Sequence, residues 1–367
     1  MTIAEIIKEI ESNFPLSSQE SYDNCGLLFG QKSMIVENVL VCLDVTEKVV
    51  KEAKQKNCQL IISHHPLIFS PFKRLSESIP EHRSLILCIQ ENVAVYALHT
   101  NLDNNVHGVN AKIGQKLNVK HPRILQGSKN TLKKLVVYVP NKAEYIDALD
   151  QALFEFGAGK IGNYEECHFR TEGIGTFKPI QGANPTIGRV HHRENVSEVK
   201  IEYLVSTHQI SNCLKAMTQA HPYEEIAHEI FPVDNINPSE GSGMIGELEV
   251  PITIEAFLED VKSTFGCEMV RHTCKYLNEE ISKIAWCGGS GAFLIDAAKS
   301  QGAQVFLTSD VKYHDFFKAE GPFNIVDIGH YENEQFTIDL IADFLKEKFT
   351  KFAIHLTEIN TNPINYK

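Results

Sequence analysis

VLVCLDVTEKVVKEAKQKNCQLIISHHP, residues 39–66, reads as strand, helix, strand, and ends on two adjacent histidines, His64 and His65. Apolar or small residues dominate Gln59 to Ser63, so this stretch is expected as a short buried strand that delivers both imidazoles at its C-terminal end. Neighbouring strand residues point to opposite sides, so one ion would not comfortably take both rings. Two ions side by side would accept them, as would a kink imposed ahead of Pro66. A loop carrying two solvated histidines is the plain alternative.

Two later segments have the same ending. VAVYALHTNLD (93–103) is an apolar strand closing on His99, with Asp103 four residues on; FNIVDIGHYENE (323–334) closes on His330, with Glu334 four residues on. On a helix, positions i and i+4 share a face and can grip one ion or two adjacent ones. A helix is expected after Glu334, where Phe336, Leu340, Ile341, Phe344 and Leu345 form a stripe. After Asp103 a loop is expected instead, because Asn104, Asn105 and Gly108 follow.

The opening segment also has a counterpart. IAWCGGSGAFLIDAAKSQGAQVFLTSD (284–310) has the same spacing of strand, helix of similar length, and strand, with Ser309 and Asp310 where the first copy has His64 and His65. Superposition is expected to bring His65 near Asp310 and His99 near His330. Open α/β sheets bind ligands at the C-terminal ends of their strands. The fold class expected is therefore α/β, with two pseudo-repeated βα halves forming one metal-binding lobe.

Between the halves the pattern changes. Leu135–Pro140 reads as a strand, Lys142–Phe156 as a helix, Tyr164–Arg170 and Ser197–Val205 as strands, Ile210–Ala220 as a helix, and His228–Val233 as a last strand. That order is the ferredoxin-like plan, about 100 residues long and able to pack alone. The loop-like stretches QGSKN and DNINPSEGSG would bound it. The expected domains are 1–126, an inserted α+β domain over 127–233, and 234–367.

A 367-residue chain of net charge −12 disfavours a nucleic-acid backbone as principal partner. Its nine cysteines are scattered without a C-x-x-C pair, which suits reduced, packed thiols in a cytoplasmic protein. MTIAEIIKEIESNF is an amphipathic helix and not a signal peptide, and no apolar run approaches the roughly 20 residues needed to cross a bilayer. A soluble protein with no membrane partner is expected.

Over essentially its full length the chain resembles the dinuclear-metal proteins known as GTP cyclohydrolase 1 type 2 homologs. The motifs are YDNCGLLFG (22–30), IISHHPLIF (61–69), LHTNLD (98–103), GANPTIGRV (182–190), AHPYEE (220–225), WCGGSG (286–291), LTSDVKYH (307–314) and DIGHYENE (327–334). Tyr22 departs from the family's frequent Trp, and Ser309 from its frequent Gly. The resemblance implies a two-metal site of His64, His65, Asp103, His330 and Glu334, a central domain similar to the PII and CutA folds, and a homohexameric ring built from two trimers.

Three imidazoles and two carboxylates suit zinc, iron(II) or manganese, and five side chains cannot fill two coordination shells. The open positions fall to water or substrate, and hydrolysis follows as the reaction class. A GTP cyclohydrolase-like hydrolase of a small heterocyclic or nucleotide substrate is expected; the alternative is a metal-stabilised regulatory ring sensing a small molecule through its PII-like domain. His99 and Asp310 are candidates for orienting ligands or moving protons, and His314 for facing the site. Glu334 is expected to bridge the ions, with His65 and Asp103 on one and His64 and His330 on the other.

Smaller signals remain. The glycine turn 288–291 could hold a phosphate if it opens a helix. Asp23 and Asn24 read as an Asx turn. His221, Glu224, Glu225 and His228 could bind an ion, although a helix start at Pro222 with solvated charges is preferred.

Overall fold

Alternation decides how the first strands lie. In Asn38–Cys42 and Leu60–Ser63, Val39, Val41, Leu60 and Ile62 enter one core, while Leu40, Cys42 and Ile61 enter a second core on the opposite face. A strand buried on both faces needs apolar residues at every position, which is why these runs are unbroken. The computed structural model describes residues Met1–Lys367 and divides into two units, Met1–Gly127 with Ser239–Lys367, and Ser128–Pro238.

The first unit holds two sheets. One has the order Gly26–Phe29, Ala94–Ala97, Leu60–Ser63, Asn38–Cys42, Ala353–Leu356, parallel except for its first strand. The other has the order Arg271–His272, Asn324–Asp327, Val305–Ser309, Glu280–Ser290, Asn237–Thr253, Lys120–Ser128. Its three central strands are parallel, and the strands flanking them, Arg271–His272 and Asn237–Thr253, are antiparallel. Val39 pairs with Leu60 and Leu60 with Ala94; Ile284 pairs with Val305 and Val305 with Asn324. Ile284, Trp286, Val305 and Leu307 join Val39, Val41, Leu60 and Ile62 in one shared core, and Ala285, Cys287 and Phe306 pack on the far side.

The connections differ from expectation. Helix Glu47–Gln55 links the first pair of strands, but its counterpart is a 3-10 turn, Ala292–Leu294, followed by only Ile295–Ser300. QGSKN and DNINPSEGSG are not simple loops, because Lys120–Ser128 and Asn237–Thr253 are neighbouring strands; backbone pairing overrides their polar composition.

In the second unit, antiparallel strands run in the order His168–Phe177, Glu194–Ser206, Leu132–Pro140, His228–Pro232, with helices Ala143–Phe154 and Ile210–Ala220. Leu135, Val137, Val199, Ile201 and Tyr203 pack under the helices with Leu149, Leu153, Cys213 and Met217. The strand expected at Tyr164–Arg170 starts only at His168, because Glu166 takes a left-handed φ of 59° and Cys167 N donates back to Gly159 O. Across both units the nine cysteines are free, and no helix is long and apolar enough to cross a membrane.

Candidate metal centre

Four imidazoles converge where the parallel strands of the two sheets end. The chain leaves strand geometry at His64, since consecutive amides donate to consecutive carbonyls, His64 N to Cys42 O (3.1 Å) and His65 N to Leu43 O (2.9 Å). Regular strands alternate such bonds between opposite sides, so this twist is what lets both rings face one place. His64 is fully buried and its Nδ1 donates to Leu98 O at 2.7 Å. His65 Nδ1 donates to Asp44 Oδ1 (2.7 Å), His99 Nδ1 to Asp23 Oδ1 (2.8 Å) and His330 Nδ1 to Asp310 Oδ2 (2.6 Å). An acceptor on Nδ1 fixes the tautomer and leaves Nε2 free to act as a metal ligand.

The carboxylates close the site. Helix His330–Glu334 places Glu334 one turn after His330, while Asp103 ends a short helix, Thr100–Asp103, and the expected loop follows it over 104–108 before helix Val109–Lys116. Glu334 Oε2 lies 2.9 Å from His65 Nε2 and 2.8 Å from His330 Nε2, while its Oε1 lies 3.7 Å from His64 Nε2. His64 Nε2 is also 3.7 Å from Asp103 Oδ1. By proximity the side chains that could hold an ion fall into the groups His65, His330 and Glu334, and His64, Asp103 and Glu334, whereas the expected assignment put His65 with Asp103 and His64 with His330; the rings of His65 and His330 face each other, 3.3 Å apart at Nε2.

His64 Nε2 and Asp103 Oδ1 are buried and lack a hydrogen-bond partner. Buried polar atoms are rarely left so, and an electropositive ion between them would satisfy both. Ligands of one tetrahedral ion with bonds of about 2.1 Å stand roughly 3.4 Å apart, close to the separations found here. The residues present therefore fit a divalent cation.

The local field agrees. Burial opposes charge on His65, yet Asp44 and Glu334 hold its pKa up at about 10. Burial likewise works against His330, but Glu334 and Asp310 bring it to about 11. Burial and the neighbouring Glu334 push Asp103 well above the carboxylate range, whereas His330 and His64 outweigh burial and hold Glu334 well below it. Each proton retained here occupies a place that a cation would take.

The backbone around these groups is specialised. Gly289 has φ +62°, and a Cβ there would stand 2.3 Å from Glu334 Oε1. Asp310 reaches His330 from the left-handed region at φ +55°, a conformation that non-glycine residues rarely hold. The glycine turn itself has other uses than phosphate binding: Gly288 N donates to Asn110 Oδ1 and Gly291 N to Thr308 Oγ1.

Several expectations are corrected. His314 is exposed, packs on Tyr313 and Phe317, and is not among the residues lining the cavity. His221, Glu224 and His228 hold backbone groups: His221 Nε2 donates to Tyr138 O, Glu224 accepts from Asn184 N, and His228 Nδ1 donates to Ile226 O. No helix starts at Pro222; helix Ile210–Ala220 ends just before it. The Asx turn does not form: Cys25 N, two residues after Asp23, donates to Gln19, and the Asp23 carboxylate accepts from Asn24 N, anchors His99 and accepts from Thr100. Asp44 and Asn110 were not foreseen. Asp44 follows the first strand at the same sheet edge as His64, and that position is the sequence signal that could have found it.

The cavity above the ligands has a volume of about 480 Å³. Its floor carries His65, His99, Asp103, His330 and Glu334, and its walls include the exposed aromatic rings of Tyr22, Phe69 and Phe293. Apolar walls around a few convergent polar groups are the usual form of a small-molecule site.

Comparison with known proteins adds the relationship. The family described as Duf34/NIF3 (NGG1p interacting factor 3) matches residues 1–363. A GTP cyclohydrolase 1 type 2 homolog of Staphylococcus epidermidis is 34% identical over 100% of both chains. The Bacillus subtilis (strain 168) protein of the same name is 36% identical over 99% of this chain and 98% of its own. The crystal structure of a Bacillus cereus protein related to NIF3 covers 100% of this chain and 99% of its own at TM-score 0.86 and 34% identity. With a match that runs through every strand bearing the histidine cluster, the chain belongs to the Duf34/NIF3 family.

Proposed function

We propose that the protein is a metal-dependent hydrolase that holds two divalent ions, zinc, iron or manganese, and acts on a small heterocyclic or nucleotide substrate. The observation that carries this reading is the pair of partnerless buried atoms, His64 Nε2 and Asp103 Oδ1, beside a carboxylate whose two oxygens face different imidazoles. His64 and Asp103 would hold one ion, His65 and His330 the other, and Glu334 would span both. Bound ions would supply an activated water and polarise the substrate. His99, anchored through Asp23 and lining the cavity, is the group assigned to proton transfer. Asp310 acts by orienting His330.

On this reading the equal registers at Val39/Leu60 and Ile284/Val305 reflect a pseudo-repeat, with Asp310 at the position of His65. The correspondence of His99 with His330 is offset by one residue: Ala97 and Asp327 occupy matching register, which aligns His99 with Gly329. The middle unit, with its four-stranded antiparallel sheet and two helices, is read as a ferredoxin-like, PII-like insertion that assembles trimers, two of which would make a hexamer. Its own cavity of about 590 Å³, lined by Asp147, Asp150 and Lys160 among others, favours a second reading in which that unit senses a small molecule.

Turnover assays of protein loaded with zinc, iron(II) or manganese against nucleotides, folates and phosphoesters test the proposal. Metal-dependent turnover that His99→Ala lowers while metal stays bound supports it. A stoichiometrically loaded protein inert on every class would shift the reading to the sensor.

A further inference from the structure

The segment that follows strand Ala353–Leu356 crosses the rim of the metal centre. Leu356 pairs with Val41, and Thr357 N donates to Val41 O (3.0 Å), so the chain leaves the sheet at the edge where Asp44 sits. Thr357 donates to Glu52 and Glu358 N donates to Glu52 Oε1 (2.9 Å), which fixes the start of the segment on helix Glu47–Gln55. Four residues later, Thr361 Oγ1 donates to Asp44 Oδ2 at 2.6 Å. Asn362 Nδ2 then donates to Glu332 Oε1 at 2.9 Å.

These two contacts meet the centre from both sides. Asp44 is the carboxylate whose other oxygen accepts from His65 Nδ1. Glu332 lies within the helix that carries His330 and Glu334. One short segment is therefore tied both to the orienting partner of a ligand from one sheet and to the ligand-bearing helix of the other. A carboxylate held at one oxygen only can rotate about its χ angles; a second bond at the other oxygen fixes its plane and so the aim of the imidazole beyond it.

We infer that residues 357–362 act as a strap, in which Thr361 is a positioning residue that sets the metal affinity of the His65–His330 pair through Asp44. Asn362 fixes the strap to the opposite side. The inference rests on the reading of the cluster as a metal centre, but it adds residues that do not touch the ion.

The test measures manganese and zinc affinities of the full chain by competition with a chromophoric chelator. Thr361→Val, which keeps the shape and removes the donor, should weaken one ion per chain about tenfold. Thr361→Ser should restore wild-type affinity. Asp44→Asn should weaken the same ion, and the double variant should lose little more than Asp44→Asn alone, because Thr361 acts through that carboxylate. Thr357→Val, at the far end of the strap, should lower thermal stability and leave affinity within about twofold of wild type. Unchanged affinity in Thr361→Val, or fully additive losses in the double variant, would overturn the strap while leaving the metal centre intact. Failure of the wild-type chain to bind either metal more tightly than His64→Ala would overturn the metal centre and the strap with it.

Discussion

His64 Nε2 lies 3.7 Å from Asp103 Oδ1, and both atoms are buried without a hydrogen-bond partner. A direct bond would need them almost 1 Å closer. The chain thus holds an imidazole and a carboxylate at a distance that suits something between them and leaves both unsatisfied otherwise. The cost of an unsatisfied buried polar group, about 1–3 kcal/mol each, is offset when a cation binds.

Removing that cation should be visible in stability. Protein stripped with a chelator should unfold at lower temperature than protein refilled with manganese or zinc, with the difference growing with free metal concentration. Differential scanning calorimetry across a metal titration checks this; a melting temperature independent of metal would contradict it.

Glu334 faces His64 with one oxygen and His65 and His330 with the other, so under the proposed two-ion reading its loss should be felt at both positions. Glu334→Ala should retain less metal than Asp103→Ala or His330→Ala, each of which should chiefly weaken one position. Elemental analysis of the three purified variants decides the matter. Full metal content in Glu334→Ala would remove the spanning role.

Gly289 leaves no room for a side chain. Gly289→Ala would place Cβ 2.3 Å from Glu334 Oε1 in a backbone conformation of φ +62°. The left-handed conformation alone costs an L-residue roughly 1–2 kcal/mol. We expect lower urea stability together with reduced metal content, and the second effect separates displacement of Glu334 from simple backbone strain.

Asn110 joins the two sheets beneath the site. Its side chain accepts from Gly288 N (2.9 Å) and donates to Asp103 O (3.1 Å), and its carbonyl accepts from Trp286 Nε1 (2.7 Å). Asn110→Ala strands the buried Gly288 amide and should cost about 1–3 kcal/mol in urea unfolding. Asn110→Asp keeps an acceptor for Gly288 but sets a carboxylate oxygen against Asp103 O, so it too should be less stable than wild type, and increasingly so as pH rises.

Acid should expose the role of Glu52. Burial would raise its pKa, but the bonds from Lys56, Thr357 and Glu358 outweigh it and lower the value below 4.5. The folded state therefore favours the carboxylate: its contribution is present above the unfolded value and is lost as pH falls through the folded one. Glu52→Gln should be less stable than wild type at pH 7 by on the order of 1 kcal/mol and should show a shallower decline below about pH 4.5. Parallel stability–pH curves for the two proteins would exclude this linkage.

The residue pattern alone determined a good deal. Runs dominated by apolar residues marked Leu60–Ser63, Ala94–Ala97 and the Ile325–Val326 centre of Asn324–Asp327 as buried strands, because mainly apolar side chains cover both faces of a parallel sheet. The polar residues that end those runs marked His64, His65, His99, Asp103, His330 and Glu334 together, because chemistry at a sheet edge needs polar groups where the apolar pattern stops. Partners that act across long sequence distances were decided only by tertiary structure. Asp44 meets His65 across a parallel register, Asp23 reaches His99 across a loop, and Thr361 arrives through a strand, Ala353–Leu356, that pairs with a segment more than three hundred residues earlier in the chain. The grouping of these side chains was of this kind as well. Spacing placed His330 and Glu334 on one helix face, but only the packing of two sheets around a common core set His65 opposite His330 and His64 beside Asp103. A side chain's own sequence neighbours determine whether it is buried; which partner it meets depends on how separate strands are brought into register.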